Sequence, residues 1–218
     1  MRLQAVALIL LLLCGGCAKS SARWESELQS GDAFVRGMAA IGLGLSDPEG
    51  ARAAVPILLE TIDRSDVGLE PQAAEVLFIV GRYHVDVLLL NLVLNELMSS
   101  DRRGAIKNAL VAAGPVACEG IAQCLAGPGK ELAGDLGDVL LAIGPAALPA
   151  ITSLLDESID TRIRNFAAYL LGRMGPGARS ALPALRRASK ASDEDLRESA
   201  LNAIARIQGS PPEAGKPR

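Results

Sequence analysis

One imidazole, His84, is available in a chain of 218 residues. Nucleophilic catalysis wants such a base beside a nucleophile. His84 instead lies in Gly81-Arg82-Tyr83-His84 with no Ser or Cys near it in sequence, and it reads as a surface turn residue. One His also cannot build a multi-histidine metal site. Asp135 and Asp138 stand three apart in Glu131-Leu132-Ala133-Gly134-Asp135-Leu136-Gly137-Asp138 and so share one helix side. Paired carboxylates bind cations or do acid–base work, but Gly134 and Gly137 each weaken a helix by about 1 kcal/mol relative to Ala, and no pocket is implied. A solvated face is the expectation. Cys118 and Cys124 are six residues apart, about 9 Å along a helix, beyond the ~7 Å a disulfide tolerates, and read as small buried apolar residues. No Gly-rich phosphate loop, zinc spacing or nucleophile elbow appears. These residues predict no catalytic residues, no cofactor and no metal.

Composition narrows the elements that carry them. Half of the chain is hydrophobic and 22% charged, which excludes disorder. Ala contributes 35 residues and Leu 34, against one Trp, two Tyr and three Phe. That balance favours helices over a β-sandwich, which leans on β-branched and aromatic residues. A net charge of −3 and a pI near 5.3 disfavour nucleic acid as a partner.

The first residues read as an address. After Arg2, residues 3–13 are apolar except for Gln4. As a helix they rise about 16 Å, half of a ~30 Å hydrocarbon core, too short for a span and suited to a signal peptide. Leu13-Cys14-Gly15-Gly16-Cys17-Ala18 follows. It resembles a bacterial lipoprotein signal, with Gly15 and Gly16 at the small positions and Cys17 as the lipid acceptor. Cys14 stands where such signals usually carry Leu. The resemblance implies a signal peptide over 1–16, palmitate-type acylation of Cys17 and a membrane anchor. Ala18 resembles the sorting context of outer-membrane lipoproteins. Cleavage after Ala18, with Gly16 and Ala18 as the small pair, is the alternative and gives a soluble periplasmic protein. In either case the protein is exported. Residues 17–30 read as a tether in which Trp24 caps the repeats or rests at a lipid interface.

The body repeats. Asp47-Pro48, Gly81, Gly114-Pro115, Gly144-Pro145, Gly175-Pro176 and Gln208-Gly209 are corners spaced by 34, 33, 30, 31 and 33 residues. Gly suits a left-handed helix end and Pro the first turn of the next helix. Before the corners run amphipathic stretches such as Ile163, Phe166, Ala167, Leu170, Leu171 and Met174. After them come second helices predicted at 55–62, 85–98, 116–125, 146–155 and 178–189. Asp32-x-x-Val35-Arg36-x-x-Ala39-Ala40, Ile163-Arg164-x-x-Ala167-Ala168 and Asp193-x-x-Leu196-Arg197-x-x-Ala200, with Ala178-x-x-Ala181-Leu182-Pro183 and Ala51-x-x-Ala54-Val55-Pro56, resemble HEAT repeats of the short type associated with phycobilisome lyases. The resemblance implies an all-α superhelix over residues 31–208, of about five helical hairpins plus a terminal helix, followed by a disordered tail at 209–218. It further implies that Asp32, Arg36, Arg164, Asp193 and Arg197 ladder between neighbouring repeats.

HEAT-like arrays resemble one another in binding partners on the face lined by second helices. There Val85 to Met98 is apolar at ten of fourteen positions, more than one buried stripe needs. Either both neighbours enclose it, or it presents an apolar patch framed by Asn91 and Asn95, extended by Glu60, Gln123 and Ser153. The reading is a membrane-tethered scaffold that binds an unidentified protein partner in the bacterial cell envelope. The alternatives are an enzyme or enzyme subunit like the HEAT-like bilin lyases, whose cytoplasmic substrates sit badly with an export signal, and a purely structural envelope protein.

Overall fold

The computed structural model describes residues 21–64, 67–94 and 99–209; the signal segment, Cys17, Asn95 and the tail from residue 210 lie outside it. Every regular element among the described residues is helical, with no strand. The chain divides into two compact units, one ending at Ala113 and the other starting at Gly114.

The first unit holds α1 (Ser21–Glu27), α2 (Ala33–Ser46), α3 (Ala54–Ile62), α4 (Glu70–Val80), α5 (Val85–Leu94) and α6 (Ser100–Ala113). α2 packs on α1, α3 and α4, and α4 packs in turn on α3 and α6. Ile41, Leu43, Leu58, Leu59, Leu77, Leu88, Ile106 and Leu110 are wholly enclosed between them. Part of the segment expected as a tether is folded: residues 21–27 form α1, and Trp24 is buried beside Gly42 of α2. Trp24 therefore closes the end of the first unit.

The second unit holds α7 (Pro115–Ala126), α8 (Ala133–Ile143), α9 (Leu148–Glu157), α10 (Thr161–Met174), α11 (Leu182–Ala188) and α12 (Glu194–Gln208). Helices pack on the next but one: α8 on α10, α10 on α12, α7 on α9, α9 on α11; α7 with α8, α9 with α10 and α11 with α12 also pack as direct neighbours. The closest of these, α10 on α12, depends on Gly172, where a Cβ would fall 3.1 Å from the Ala203 backbone. Small residues replace aromatic bulk here because close helix approach also excludes water.

Three corners share one backbone conformation. Gly114, Gly144 and Gly175 have φ of 59°, 75° and 57° with ψ of −129°, −140° and −138°. This differs from the left-handed helical end expected from the sequence, which among these corners Gly209 adopts (φ 77°, ψ 12°). The cause is the next residue. Proline bars α-like ψ in its predecessor, so the chain takes an extended ψ, and only Gly joins that to a positive φ at little cost. Gly81, with no Pro after it, continues in helical geometry at φ −58° and ψ −30°.

Two of the five second helices start later than predicted, while those at Ala54, Val85 and Pro115 start within one residue of expectation. α9 begins at Leu148 and α11 at Leu182, after 3-10 turns over Gly144–Ala147 and Gly175–Ala181. Pro149 and Pro183 explain this, since proline fits an α-helix only in its first turn, where no donor is required.

The expected Asp–Arg ladder takes another form. Asp32, Asp160 and Asp193 are N-caps of α2, α10 and α12, accepting from backbone N–H groups such as Phe34 (2.8 Å), Arg162 (3.0 Å) and Leu196 (2.8 Å). Four residues later, Arg36 donates to the carbonyls of Ser30 and Gly31, and Arg197 to those of Ala191 and Ser192. Arg164 donates to the Leu155 carbonyl in the last turn of α9. Each Arg thus ties a helix start to the chain leading into it, and Arg36 also donates to the Glu60 carboxylate on α3. Side chains that do link successive second helices are Arg52 with Asp86 and Arg187 with Asp156, both at 2.6 Å.

The apolar run Lys130–Glu157 is long enough to cross a membrane by length and composition. It folds in two at Gly144 and forms α8 and α9. Neither leg exceeds about 17 Å at 1.5 Å per residue.

Candidate functional site

The predicted partner-binding residues fall on second helices. Glu60 and Asn91 lie on α3 and α5, which pack together in the first unit. Gln123 and Ser153 lie on α7 and α9, which pack together in the second. Asn95 is outside the described residues. Two pairs are therefore placed on adjoining helices, one pair in each unit.

Each of these side chains has local partners. Glu60 accepts from Arg36 at 2.6 Å and lies 3.8 Å from Arg64. Asn91 donates to the Val87 carbonyl at 2.9 Å, Gln123 to Glu119 at 2.9 Å and Ser153 to Glu157 at 3.0 Å. Bonds one turn apart along a helix fix the side chains of Asn91, Gln123 and Ser153.

On α5, Leu88, Leu89 and Leu92 are buried while Leu90 is 53% exposed. One stripe is thus enclosed by neighbours and part of the opposite side is open. Val116, at the start of α7, is likewise exposed.

His84 is a correction. It is 5% exposed, with Nε2 3.2 Å from the Pro48 carbonyl oxygen. A histidine turned inward beside a carbonyl 36 residues away is a clasp between corners. Nothing in the local sequence announces that contact. Asp135 is half-buried and Asp138 exposed on α8, and the charge of Asp138 reaches Arg173 on α10. Gly137 between them is buried against Phe166, so a side chain there would collide with the ring. Cys118 and Cys124 are free and buried, as expected, and burial pushes both thiols up from their ordinary value. Thiols held protonated in this way are poor nucleophiles.

Two concavities were not legible beforehand. In the first unit a groove of about 690 Å³ runs between the end of α3 and the starts of α4 and α6, with Asp63, Glu70, Asp101 and Asn108 on its walls. Arg102 lies 3.3 Å from Asp63, whose other partner is the Ser99 hydroxyl. In the second unit a pocket of about 120 Å³ lies between α10 and α12, lined by Tyr169, Ser199, Asn202 and Arg206. Arg173 donates to the Tyr169 hydroxyl at 3.0 Å with its guanidinium 5.7 Å from the ring centroid, and the Phe166 ring stacks with that of Tyr169 at 6.3 Å. The spacing of Tyr169 and Arg173, one turn apart, was the available signal. Among the described residues no three His, Cys, Asp or Glu side chains gather as a metal site would need.

Comparison with protein-family models finds none that matches the chain, and comparison with curated proteins finds no match either.

Proposed function

We propose that this chain is a membrane-tethered α-solenoid of HEAT-like hairpins that serves as a protein-binding scaffold in the bacterial cell envelope. The observation that carries the hairpin reading is the recurrence of one corner geometry at Gly114, Gly144 and Gly175, with helices of the second unit packing on the next but one. Stacked hairpins need that alternation, because one hairpin cannot cover its own apolar face. The binding reading is supported by second helices that carry Glu60, Asn91, Gln123 and Ser153 beside exposed Leu90 and Val116. The envelope reading rests on residues 3–18 and their likeness to a lipoprotein signal.

Crosslinking in intact cells followed by mass spectrometry identifies the partner. Asn91→Arg with Asn95→Arg then abolishes its capture while helical circular dichroism is retained. Unchanged capture dismisses the surface. Cys17→Ser removes incorporation of radioactive palmitate, and persistence of the label ends the lipid-anchor reading.

A further inference from the structure

Where the folded body begins sets how far it can stand from its anchor. α1 belongs to the body: Trp24 and Leu28 are 7% and 4% exposed, and a Cβ on Gly42 would fall 2.6 Å from the Trp24 ring. If Cys17 carries the lipid, Ala18, Lys19 and Ser20 are all that separates it from Ser21. Four residue steps reach about 14 Å at full extension.

The direction of α1 then selects which end of the first unit is held there. The chain leaves α1 at Glu27 and enters α2 through the cap at Asp32. Trp24, by contrast, lies beside Gly42, nine residues or about 14 Å along α2. α1 therefore runs back along α2, and Ser21 lies toward the corner that follows Ser46. The bond from His84 to the Pro48 carbonyl brings the corner after α4 to the same end. That end exposes Phe78 and Tyr83, each by 50%, beside the exposed Arg82. Half-exposed aromatic rings suit the headgroup region, where one edge is wet and the other apolar. The charges there, Arg52 and Arg82 against Asp47, Glu49 and Asp86, come to two cations and three carboxylates, so attraction to anionic lipid is not the driving force.

We propose that the corner end of the first unit, with Phe78 and Tyr83, rests on the phospholipid interface, so that α2 stands away from the bilayer. This rests on the lipid-anchor reading above and adds a second contact to it.

The test uses the full lipidated protein in phosphatidylcholine vesicles containing headgroup-spin-labelled lipid. A dye is placed by Glu49→Cys at the corner or by Phe34→Cys at the opposite end of α2, twelve residues or about 18 Å before the helix ends at Ser46. Both positions are exposed, whereas Cys118 and Cys124 are buried. Quenching at position 49 exceeds that at position 34 several-fold, and a dye on Arg82→Cys repeats the result if the first variant folds poorly. Equal quenching, or more at position 34, in protein that floats with the vesicles and carries palmitate overturns the orientation alone. Protein without palmitate that stays off the vesicles overturns the anchor, and the orientation with it.

Discussion

Turned inward with its Nε2 3.2 Å from the Pro48 carbonyl, His84 has a structural task that catalysis would not explain. His84→Leu keeps the apolar volume and strands that carbonyl, so it costs about 1–3 kcal/mol. A urea midpoint unchanged from the parent would discard the clasp. Asp160 works at the surface, where hydrogen bonds from Arg162 and then Lys130 hold its carboxyl well below the usual range. A lowered carboxyl stabilises the fold above the ordinary carboxylate pKa of ~3.9 and loses that contribution as pH falls through the folded value. Asp160→Asn retains a capping oxygen but not the charge. Its melting temperature lies below the parent's at pH 7, and the gap closes as pH drops below about 4. A gap that widens on acidification contradicts the assignment. Asp160 was passed over in the sequence although it precedes Arg164 by the same four residues that separate Asp32 from Arg36.

At the scale of elements, three glycines of α8 and its corner have different reasons to be there. Gly134 has no atom within 4 Å of a built Cβ, Gly137 meets Phe166, and Gly144 has φ of 75°. Gly134→Ala gains up to about 1 kcal/mol from helix propensity. Gly144→Ala loses roughly 1–3 kcal/mol to backbone strain. Gly137→Ala is destabilised by collision instead. Thermal melts of the three variants should therefore separate in sign, and a stabilised Gly144→Ala would refute the corner geometry. The buried faces were largely readable in advance: of the six positions expected on α10, Ile163, Ala167, Leu170 and Leu171 are buried and Phe166 and Met174 half-buried. A period of 3.6 depends only on neighbours in sequence. The starts of α9 and α11 were less readable, since Pro149 and Pro183 decide them against the pattern of Ala and Leu. The burial of His84 and the groove beside Asp63 depend on residues brought from other helices, and no local pattern encodes them.

Within each unit, the packing of helices on their second neighbours, as of α2 on α4 and α10 on α12, spreads stability over several interfaces. A synthetic peptide of residues 144–174, one hairpin long, should be unfolded in water, because its apolar faces would have no neighbours to cover them. Cooperative helical melting of that peptide would show that hairpins are independent and would remove the basis of the repeat reading. The period of 30–34 residues was visible from the corners alone. That Trp24 caps the body was one of two readings of the sequence; its place beside Gly42 was not legible, because it joins a residue before the repeats to one of α2.

If the chain is exported as proposed, the bend at Gly144 has a bearing on how it leaves the cytoplasm. Drawn out as one rod, residues 130–157 would measure about 42 Å, ample to lodge in a bilayer and halt translocation. Broken by Gly144, Pro145 and Pro149, the same residues offer the secretion channel no uninterrupted greasy cylinder to release sideways into lipid. The hinge that shapes the folded hairpin thereby also lets a very apolar stretch travel through as cargo.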